Sequence, residues 1–216
     1  EVPADRMKGA RPWSDGADAL PPLPSDVVSL CQFVSTYYQA PIGEVIARVF
    51  PKSEKAIDPP KRRSRRIENG SRPTDPRLPL HGAQEDAART IASAQGFTPF
   101  LLFGVTGSGK TEVYLEAARS VIERGGQVLL LVPEINLTLA MESRIQARFD
   151  PGIVATLHSD LGEAERARHF RAAFEGRARI VLGTRLSVFT PMPDLSLIVV
   201  DEEHDASYKQ QEGVRY

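Results

Sequence analysis

The sequence contains one cysteine, Cys31, among its 216 residues. A single cysteine excludes an internal disulfide and any zinc site built from several cysteines within these residues. A reducing, cytoplasmic setting is therefore expected. Cys31 itself falls within a run of apolar residues at helical spacing, and we interpret it as a core residue.

Long apolar runs and a secretion signal are also missing. No stretch approaches eighteen consecutive apolar residues, and the amino-terminal end has no basic segment followed by an apolar one. These features predict neither a membrane span nor a signal peptide. The chain begins at Glu1 and ends at Tyr216 without a terminating pattern, so we interpret it as a fragment of a longer protein.

An excess of charge of one sign is absent as well. Lysine and arginine together number 27, aspartate and glutamate 28, and the net charge is −1. Because no uniformly positive surface is expected, any binding of nucleic acid must come from local basic patches. The hydrophobic fraction of 41% is ordinary for a globular protein and is sufficient for one large domain or two small ones.

Changes in composition divide the chain into four segments. Residues 1–24 are rich in Pro, Gly and Asp without a sustained period, which predicts an irregular lead-in. Residues 25–56 carry two apolar runs at helical spacing, which predict two packed helices. Residues 57–79 are Pro-rich and basic and predict a linker, with five cations at 61–66 that form either a solvated tether or a binding site.

From residue 80 to 216 the pattern alternates between strands and helices. Short apolar runs rich in β-branched residues predict strands at 99–103, 128–132, 153–157, 180–182 and 195–200. Helical patterns lie at 82–95, 110–124, 135–149 and 163–175. This order predicts an α/β fold, a parallel sheet with helices on both faces, and ligand binding at the carboxyl ends of its strands.

One loop carries the strongest chemical signal. The segment GVTGSGKT matches the pattern G-x-x-x-x-G-K-[ST], in which backbone N–H groups surround a phosphate at the start of a helix. In that pattern Lys110 reaches the β- and γ-phosphates and Thr111 holds Mg²⁺. The predicted nucleotide-binding residues are Gly104, Val105, Thr106, Gly107, Ser108, Gly109, Lys110 and Thr111.

An acidic box follows the last predicted strand. Asp201 ends an aliphatic run, where a carboxylate can hold Mg²⁺ opposite Thr111. Glu202 is then placed to orient and deprotonate the attacking water. His204 completes the D-E-x-H box of superfamily 2 helicases and translocases, in which we expect it to link the γ-phosphate site to the strand-binding surface.

Weaker signals lie elsewhere. Gln84, upstream of the phosphate loop, is either an adenine reader that selects ATP or an ordinary exposed glutamine. Thr184 and Arg185, after another strand, either contact a DNA phosphate backbone or begin a helix. The remaining histidines, which are His81, His158 and His169, are interpreted as surface or structural groups.

Five segments in order carry a family resemblance: GVTGSGKTEVYLEAA, LLLVPEINLT, ATLHSDL, ARIVLGTRLSVF and LIVVDEEHDASYKQQEGVRY. They resemble the family of primosomal replication-restart helicases, known as primosomal protein N′ or PriA. The match covers residues 104–216 strongly. It extends more weakly to LPSDVVSLCQFVSTYYQAPIGEVIARVFP, which is similar to the tail of that family's amino-terminal DNA-binding region.

The resemblance implies an ATP-driven 3′ to 5′ DNA helicase whose first, RecA-like lobe is present here. By position it makes Lys110 and Thr111 the phosphate and Mg²⁺ ligands, Asp201 and Glu202 the metal and water-activating carboxylates, and Gln84 the adenine reader. It also implies recognition of abandoned forks and D-loops. The implied partners are DNA, other primosome proteins, single-strand binding protein and the loader of the replicative helicase.

Three departures limit what the resemblance implies. The start of the DNA-binding region is not recognisable, and the stretch between Pro51 and Gln84 is too short for the family's winged-helix module. The second helicase lobe, with its arginine finger and cysteine zinc sites, is not within these residues. Since such an arginine is worth about 10³ to 10⁵ in rate, this fragment is expected to bind nucleotide weakly and hydrolyse it poorly.

Other classes fit less well. A transporter ATPase would show a serine-glycine-glycine signature and a GTPase an N-K-x-D base reader, and neither occurs. A small-molecule kinase would not need the acidic box. The remaining alternatives are another superfamily 2 DNA translocase and a non-catalytic scaffold that binds forks.

Overall fold

The computed structural model describes residues 22–50, 79–105, 107–133 and 139–209. The helices in these ranges are α1 (Ser25–Tyr37), α2 (Ile42–Ile46), α3 (Gly82–Ser93), α4 (Lys110–Glu123), α5 (Leu139–Arg148) and α6 (Glu163–Phe174). The strands are β1 (Gln127–Leu131), β2 (Val154–Leu157), β3 (Ile180–Gly183) and β4 (Leu195–Val200). None of these helices is long and apolar enough to cross a membrane. Of the predicted lead-in at 1–24, only residues 22–24 are described. The basic run at 61–66 and Thr106 lie outside the described residues.

The four strands form one parallel sheet in the order β2-β3-β1-β4. Val128 pairs with Ile180 on one side of β1, and Leu131 pairs with Val200 on the other. Since consecutive parallel strands need crossover connections, α5 and α6 lie between the strands in sequence. The predicted parallel sheet is confirmed, and its four described strands begin and end within a residue or so of the predicted bounds.

Helices cover both faces of the sheet, as predicted. One core cluster joins α4 and α5 to the sheet and contains Tyr114, Leu115, Ala118, Val121, Val128, Leu130, Val132, Ile145, Phe149, Ile180 and Leu182. The cluster on the opposite face joins α6 to the sheet and contains Leu129, Leu131, Ala155, Leu157, Ala173, Ala178, Val181 and Met192. The central strands β1 and β3 are therefore buried along their whole length.

A buried glutamine fixes the start of the central strand. Gln127 is fully buried, and its Nε2 donates to the carbonyl oxygens of Ala173 at 3.0 Å and Ala178 at 2.7 Å. Its Oε1 accepts from the backbone N–H of Asp194 at 3.0 Å. One side chain thus provides hydrogen-bond partners for backbone groups at the end of α6 and in the segment before β4. Without it these buried groups would lack those partners.

The two amino-terminal helices pack against the sheet domain. Val27, Cys31 and Val34 of α1 lie in one buried cluster with Phe170 of α6 and Phe189 of the short 3-10 turn that follows β3. Cys31 has no exposed surface, so its interpretation as a core residue is confirmed. The first helical pair and the sheet domain therefore share apolar contacts although a long segment separates them in sequence.

The predicted buried strand at 99–103 is wrong. The segment forms no strand in the described structure, and Leu101 and Phe103 are 78% and 91% exposed. A short apolar run cannot distinguish a strand from other extended chain, because a strand also requires a hydrogen-bonded neighbour. As a result β4 is an edge strand of the described sheet, and its Ile198 and Val200 remain 50% and 45% exposed.

Candidate nucleotide-binding site

The phosphate loop leads directly into α4. Gly107 and Gly109 have φ angles of +82° and +84°, a left-handed conformation that favours glycine. Gly109 stands at the amino-terminal cap of α4, where no side chain occupies the first backbone N–H groups. A helix start of this kind attracts anions through its unpaired N–H groups and its positive end. The predicted position of the loop at a helix start is confirmed, although the strand predicted before it is not formed.

Lys110 folds its side chain back over the loop. Its Nζ donates to the carbonyl oxygens of Gly104 at 2.6 Å and Val105 at 3.4 Å. These bonds hold the ammonium group beside the backbone that would surround a phosphate. Its role as the cation for the terminal phosphates stays a prediction of the motif.

Gln84 joins α3 to the phosphate loop. Its Oε1 accepts from the backbone N–H of His81 at 2.8 Å, and its Nε2 donates to the carbonyl oxygen of Ser108 at 2.9 Å. The first bond stabilises the start of α3, and the second places the amide beside Gly109. Both ends of the amide are engaged within the chain, so recognition of a base would require it to exchange at least one of these bonds.

The acidic box begins where β4 ends. The backbone N–H of Asp201 continues the sheet by donating to the carbonyl oxygen of Leu131 at 2.9 Å. Its Oδ1 accepts from the backbone N–H of Glu202 at 3.1 Å, and its Oδ2 accepts from the hydroxyl of Tyr114 at 3.2 Å. Burial raises the pKa of the Asp201 carboxyl, and the bond from Tyr114 opposes that rise.

Glu202 and His204 lie on the turn that follows. Glu202 has a φ of +49°, which is unusual for a residue with a side chain and marks a tightly constrained turn. The imidazole of His204 is 73% exposed, and its Nε2 lies 3.7 Å from Oε2 of Glu202. The predicted catalytic carboxylate and the predicted coupling histidine are therefore neighbours at the surface of the site.

Two tyrosines hold the acidic box in place. Neither belongs to the phosphate-loop pattern or to the D-E-x-H box. Tyr114, on α4, donates to the Asp201 carboxylate, and Tyr208 donates to the Asp201 carbonyl oxygen at 2.7 Å. Burial, followed by the negative charge of Asp201, raises the pKa of each phenol. Both hydroxyls act as donors to Asp201 in the structure. Because 87 positions separate Tyr114 from Asp201, no local pattern indicates their contact.

The donors at this point suit a hard divalent cation. Tyr114 lies one helical turn beyond Thr111 on α4, and its hydroxyl donates to Asp201, so these two predicted metal ligands both neighbour the same side chain. Hydroxyl and carboxylate oxygens are the type of ligand that Mg²⁺ prefers. No cluster of three or more His, Cys, Asp or Glu in the described ranges could hold a metal ion.

Thr184 and Arg185 lie at the carboxyl end of β3, on the same sheet edge as Asp201. Thr184 is buried and precedes a 3-10 turn that begins at Arg185. The Nη1 of Arg185 donates to the carbonyl oxygens of Ser207 at 2.9 Å and Lys209 at 3.3 Å. The segment is thus the start of a helical turn, one of the two expectations, and Arg185 connects it to the chain after the acidic box. Its contact with DNA stays a prediction.

A buried ion pair lies behind the phosphate loop. Glu112, on the first turn of α4, accepts from Arg148 and, at 2.6 Å, from Arg144, both on α5. Glu112 and Arg148 are each 7% exposed. No local sequence pattern indicates this cluster, because the two helices are adjacent only in the folded chain. Of the remaining histidines, His169 is structural, since its Nδ1 bonds to the backbone of Thr156.

Comparison with known proteins gives a family for the sheet domain. The sequence profile of the DEAD/DEAH box helicase family matches residues 82–216. This range contains the phosphate loop, the acidic box and the whole described sheet. The parallel sheet with helices on both faces agrees with the RecA-like helicase lobe that the sequence predicts.

Individual curated relatives indicate a more specific group of helicases. The replication restart protein PriA of Synechocystis is 48% identical over 131 residues, which cover 61% of this chain and 16% of the relative. PriA of Bacillus subtilis is 42% identical over 66% of this chain and 18% of the relative. PriA of Treponema pallidum is 35% identical over 88% of this chain and 28% of the relative. The chain thus spans less than a third of each of these relatives.

These similarities confirm the resemblance to primosomal replication-restart helicases. They extend, in the Treponema relative, across most of the chain and not only the sheet domain. The helicase profile covers more than half of the chain and includes both motifs of the candidate site. The chain therefore belongs to the DEAD/DEAH box helicase family.

Proposed function

We propose that this chain is the ATP-binding lobe of an ATP-driven DNA helicase of replication restart. The observation that carries the proposal is the contact between Tyr114 of α4 and Asp201 at the end of β4, which brings the acidic box to the start of the helix that follows the phosphate loop. This contact supports the proposal that Thr111 and Asp201 belong to the two halves of a single triphosphate site. The similarity to PriA relatives supports replication restart as the process.

The residues of the chain have distinct roles in this proposal. Lys110 binds the β- and γ-phosphates, and Thr111 with Asp201 holds Mg²⁺. When bound, that cation neutralises charge on the phosphate oxygens. Glu202 orients a water molecule and accepts its proton, and Gln84 recognises adenine by exchanging its bonds to His81 and Ser108.

The residues that we propose couple the nucleotide site to DNA lie at the same carboxyl end of the sheet. His204 is exposed beside Glu202, where it contacts both the catalytic carboxylate and solvent. Thr184 and Arg185 lie at the carboxyl end of β3, which β1 separates from β4 in the sheet. In this proposal they contact the DNA phosphate backbone. We propose 3′ to 5′ movement, recognition of abandoned forks and D-loops, and promotion of primosome assembly by resemblance to the family.

Partners and further domains are proposed on the same ground. DNA, single-strand binding protein, other primosome proteins and the loader of the replicative helicase are the proposed partners. Residues 25–56 are proposed as the end of an amino-terminal DNA-binding region, residues 57–79 as a linker, and residues 80–216 as the first helicase lobe. Zinc is proposed only for a second lobe, and a cytoplasmic location follows from the process.

Substitutions in the complete protein test the motor function. Lys110→Ala should abolish unwinding of forked DNA, and Glu202→Gln should retain nucleotide binding while hydrolysis falls by about 10²-fold to 10⁴-fold. Glu123→Gln, an exposed position at the end of α4, is the control and should match the wild type. Unwinding that survives Lys110→Ala would overturn the motor function. A wild-type protein that binds forks without hydrolysing ATP would favour the non-catalytic scaffold.

A further inference from the structure

The phenol of Tyr114 lies between the two protein groups that the proposed function assigns to Mg²⁺. Tyr114 is one helical turn beyond Thr111 on α4 and is 5% exposed. Its hydroxyl donates to Oδ2 of Asp201 at 3.2 Å. A single hydroxyl therefore connects the start of the phosphate-loop helix to the end of β4.

The ring of Tyr114 is fixed in place by packing. It belongs to the core cluster that joins α4 to the sheet, together with Val128, Leu130 and Ile145. A phenylalanine would fill the same space without a polar atom to bury, so packing alone does not require the hydroxyl. The hydrogen bond described for the hydroxyl is the one to Asp201.

The carboxylate of Asp201 is consequently fixed at both oxygens. Oδ1 accepts from the backbone N–H of Glu202, and Oδ2 accepts from Tyr114. Each carboxylate oxygen has a further lone pair, so these bonds leave Asp201 able to bind a cation directly or through water. Hydrogen bonds of this kind set the orientation of carboxylate ligands, and their loss commonly reduces metal affinity by about 10-fold to 100-fold.

We propose that Tyr114 is a positioning residue that holds Asp201 in the arrangement that receives the divalent cation of the nucleotide. This inference rests on the proposed ATP site and adds to it a residue that neither motif contains. Tyr114 does not contact the nucleotide or the cation in this proposal, and it acts through Asp201. Its hydroxyl therefore affects the cation and not the metal-free nucleotide.

The test uses the full chain and fluorescently labelled ADP as the probe, with Mg²⁺ titrated against EDTA-treated protein. Tyr114→Phe should raise the half-saturating Mg²⁺ concentration by about tenfold or more. Its affinity for the probe in EDTA should equal that of the wild type. Tyr37→Phe, which removes a hydroxyl from a side chain 68% exposed on α1, should leave both quantities unchanged.

A double-mutant cycle separates positioning from a structural role. If Tyr114 acts through the carboxylate, adding Tyr114→Phe to Asp201→Asn should not shift the Mg²⁺ titration further. A Mg²⁺ titration of Tyr114→Phe that matches the wild type would overturn the inference alone, as would additive effects in the cycle. A wild-type chain whose affinity for the probe is independent of Mg²⁺ would overturn the proposed nucleotide site, and this inference with it.

Discussion

Glu112 and Arg148 form an ion pair between α4 and α5 in which both side chains are less than one tenth exposed. Glu112 follows Thr111 directly, so the pair fixes the helix that carries the phosphate loop against its neighbour. A second arginine, Arg144, binds the same carboxylate from a more exposed position. A charged contact outside both sequence motifs thus holds the helix that follows the phosphate loop.

Removal of the Glu112 charge should destabilise the fold. Glu112→Gln removes the carboxylate charge that pairs with the buried guanidinium of Arg148, and we expect a loss of about 3–5 kcal/mol in the free energy of unfolding. Glu116→Gln, one turn along the same helix in a partly exposed pair with Arg119, should cost only about 0–1 kcal/mol. Chemical denaturation measures both. Equal effects for the two variants would show that burial does not decide the cost.

Alanine substitutions in the phosphate loop should differ according to the space around each glycine. Gly109 and Gly107 share a left-handed φ, which costs a residue with a side chain about 1–2 kcal/mol. At Gly109 a Cβ would also lie 2.6 Å from Nε2 of Gln84, whereas nothing lies within 4 Å at Gly107. Gly109→Ala should therefore destabilise the chain more than Gly107→Ala does.

Thermal unfolding of the two loop variants tests this ranking. Gly82→Ala provides a control, because Gly82 has neither a left-handed φ nor a neighbour within 4 Å and lies in the first turn of α3. Its midpoint should stay near that of the wild type. If Gly107→Ala were as destabilising as Gly109→Ala, the close approach of the new Cβ to Gln84 would add nothing to the cost of the substitution.

The two aspartates of the acidic segment should respond to pH in opposite directions. Burial raises the pKa of Asp201 above its ordinary value of 3.8, so ionisation of this carboxyl opposes folding. The penalty is absent below pH 3.8 and complete above the raised folded value. The backbone N–H of Ser207 lowers the pKa of Asp205, whose contribution is present above pH 3.8 and lost as the pH falls through the lowered folded value.

Asp201→Asn should therefore raise the melting temperature at neutral pH, and Asp205→Asn should lower it. Both differences should diminish as the pH approaches and passes below 3.8. The measurement is thermal unfolding in EDTA without nucleotide, so that no bound cation contributes. An Asp201→Asn variant that melts below the wild type at neutral pH would contradict the destabilising role of its burial.

Gln84 offers a test of base recognition. In the proposed function Gln84→Ala should reduce the preference for ATP over GTP in competition binding, because no amide remains to pair with adenine. Gln95→Ala, at an exposed position beyond the end of α3, is the matched control. An unchanged preference in Gln84→Ala would confine this residue to the bridge between His81 and Ser108.

Local patterns were sufficient for part of this structure. The phosphate loop and acidic box are contiguous motifs, and β1, β3 and β4 are apolar runs long enough to show their bounds. The segment at 99–103 has the same appearance, but its exposure depends on whether another strand pairs with it. Composition cannot show that pairing.

The contacts that organise the site are of another kind. Tyr114 meets Asp201 across 87 positions, and Glu112 meets Arg148 across 36. A tyrosine and a glutamate on an amphipathic helix are ordinary residues when only the sequence is known. Their importance follows from the packing of α4 against β4 and α5, which no single segment encodes.

The packing of α1 on the sheet domain has a consequence for where this chain can be shortened. A truncated chain that starts at residue 80 would keep every residue of both nucleotide motifs, yet it would uncover Phe170 and Phe189, which are 8% and 1% exposed beneath α1. Freshly exposed aromatic surface favours self-association and lowers solubility. The boundary suitable for expression of this lobe therefore lies ahead of Ser25 and not at the edge of the helicase profile.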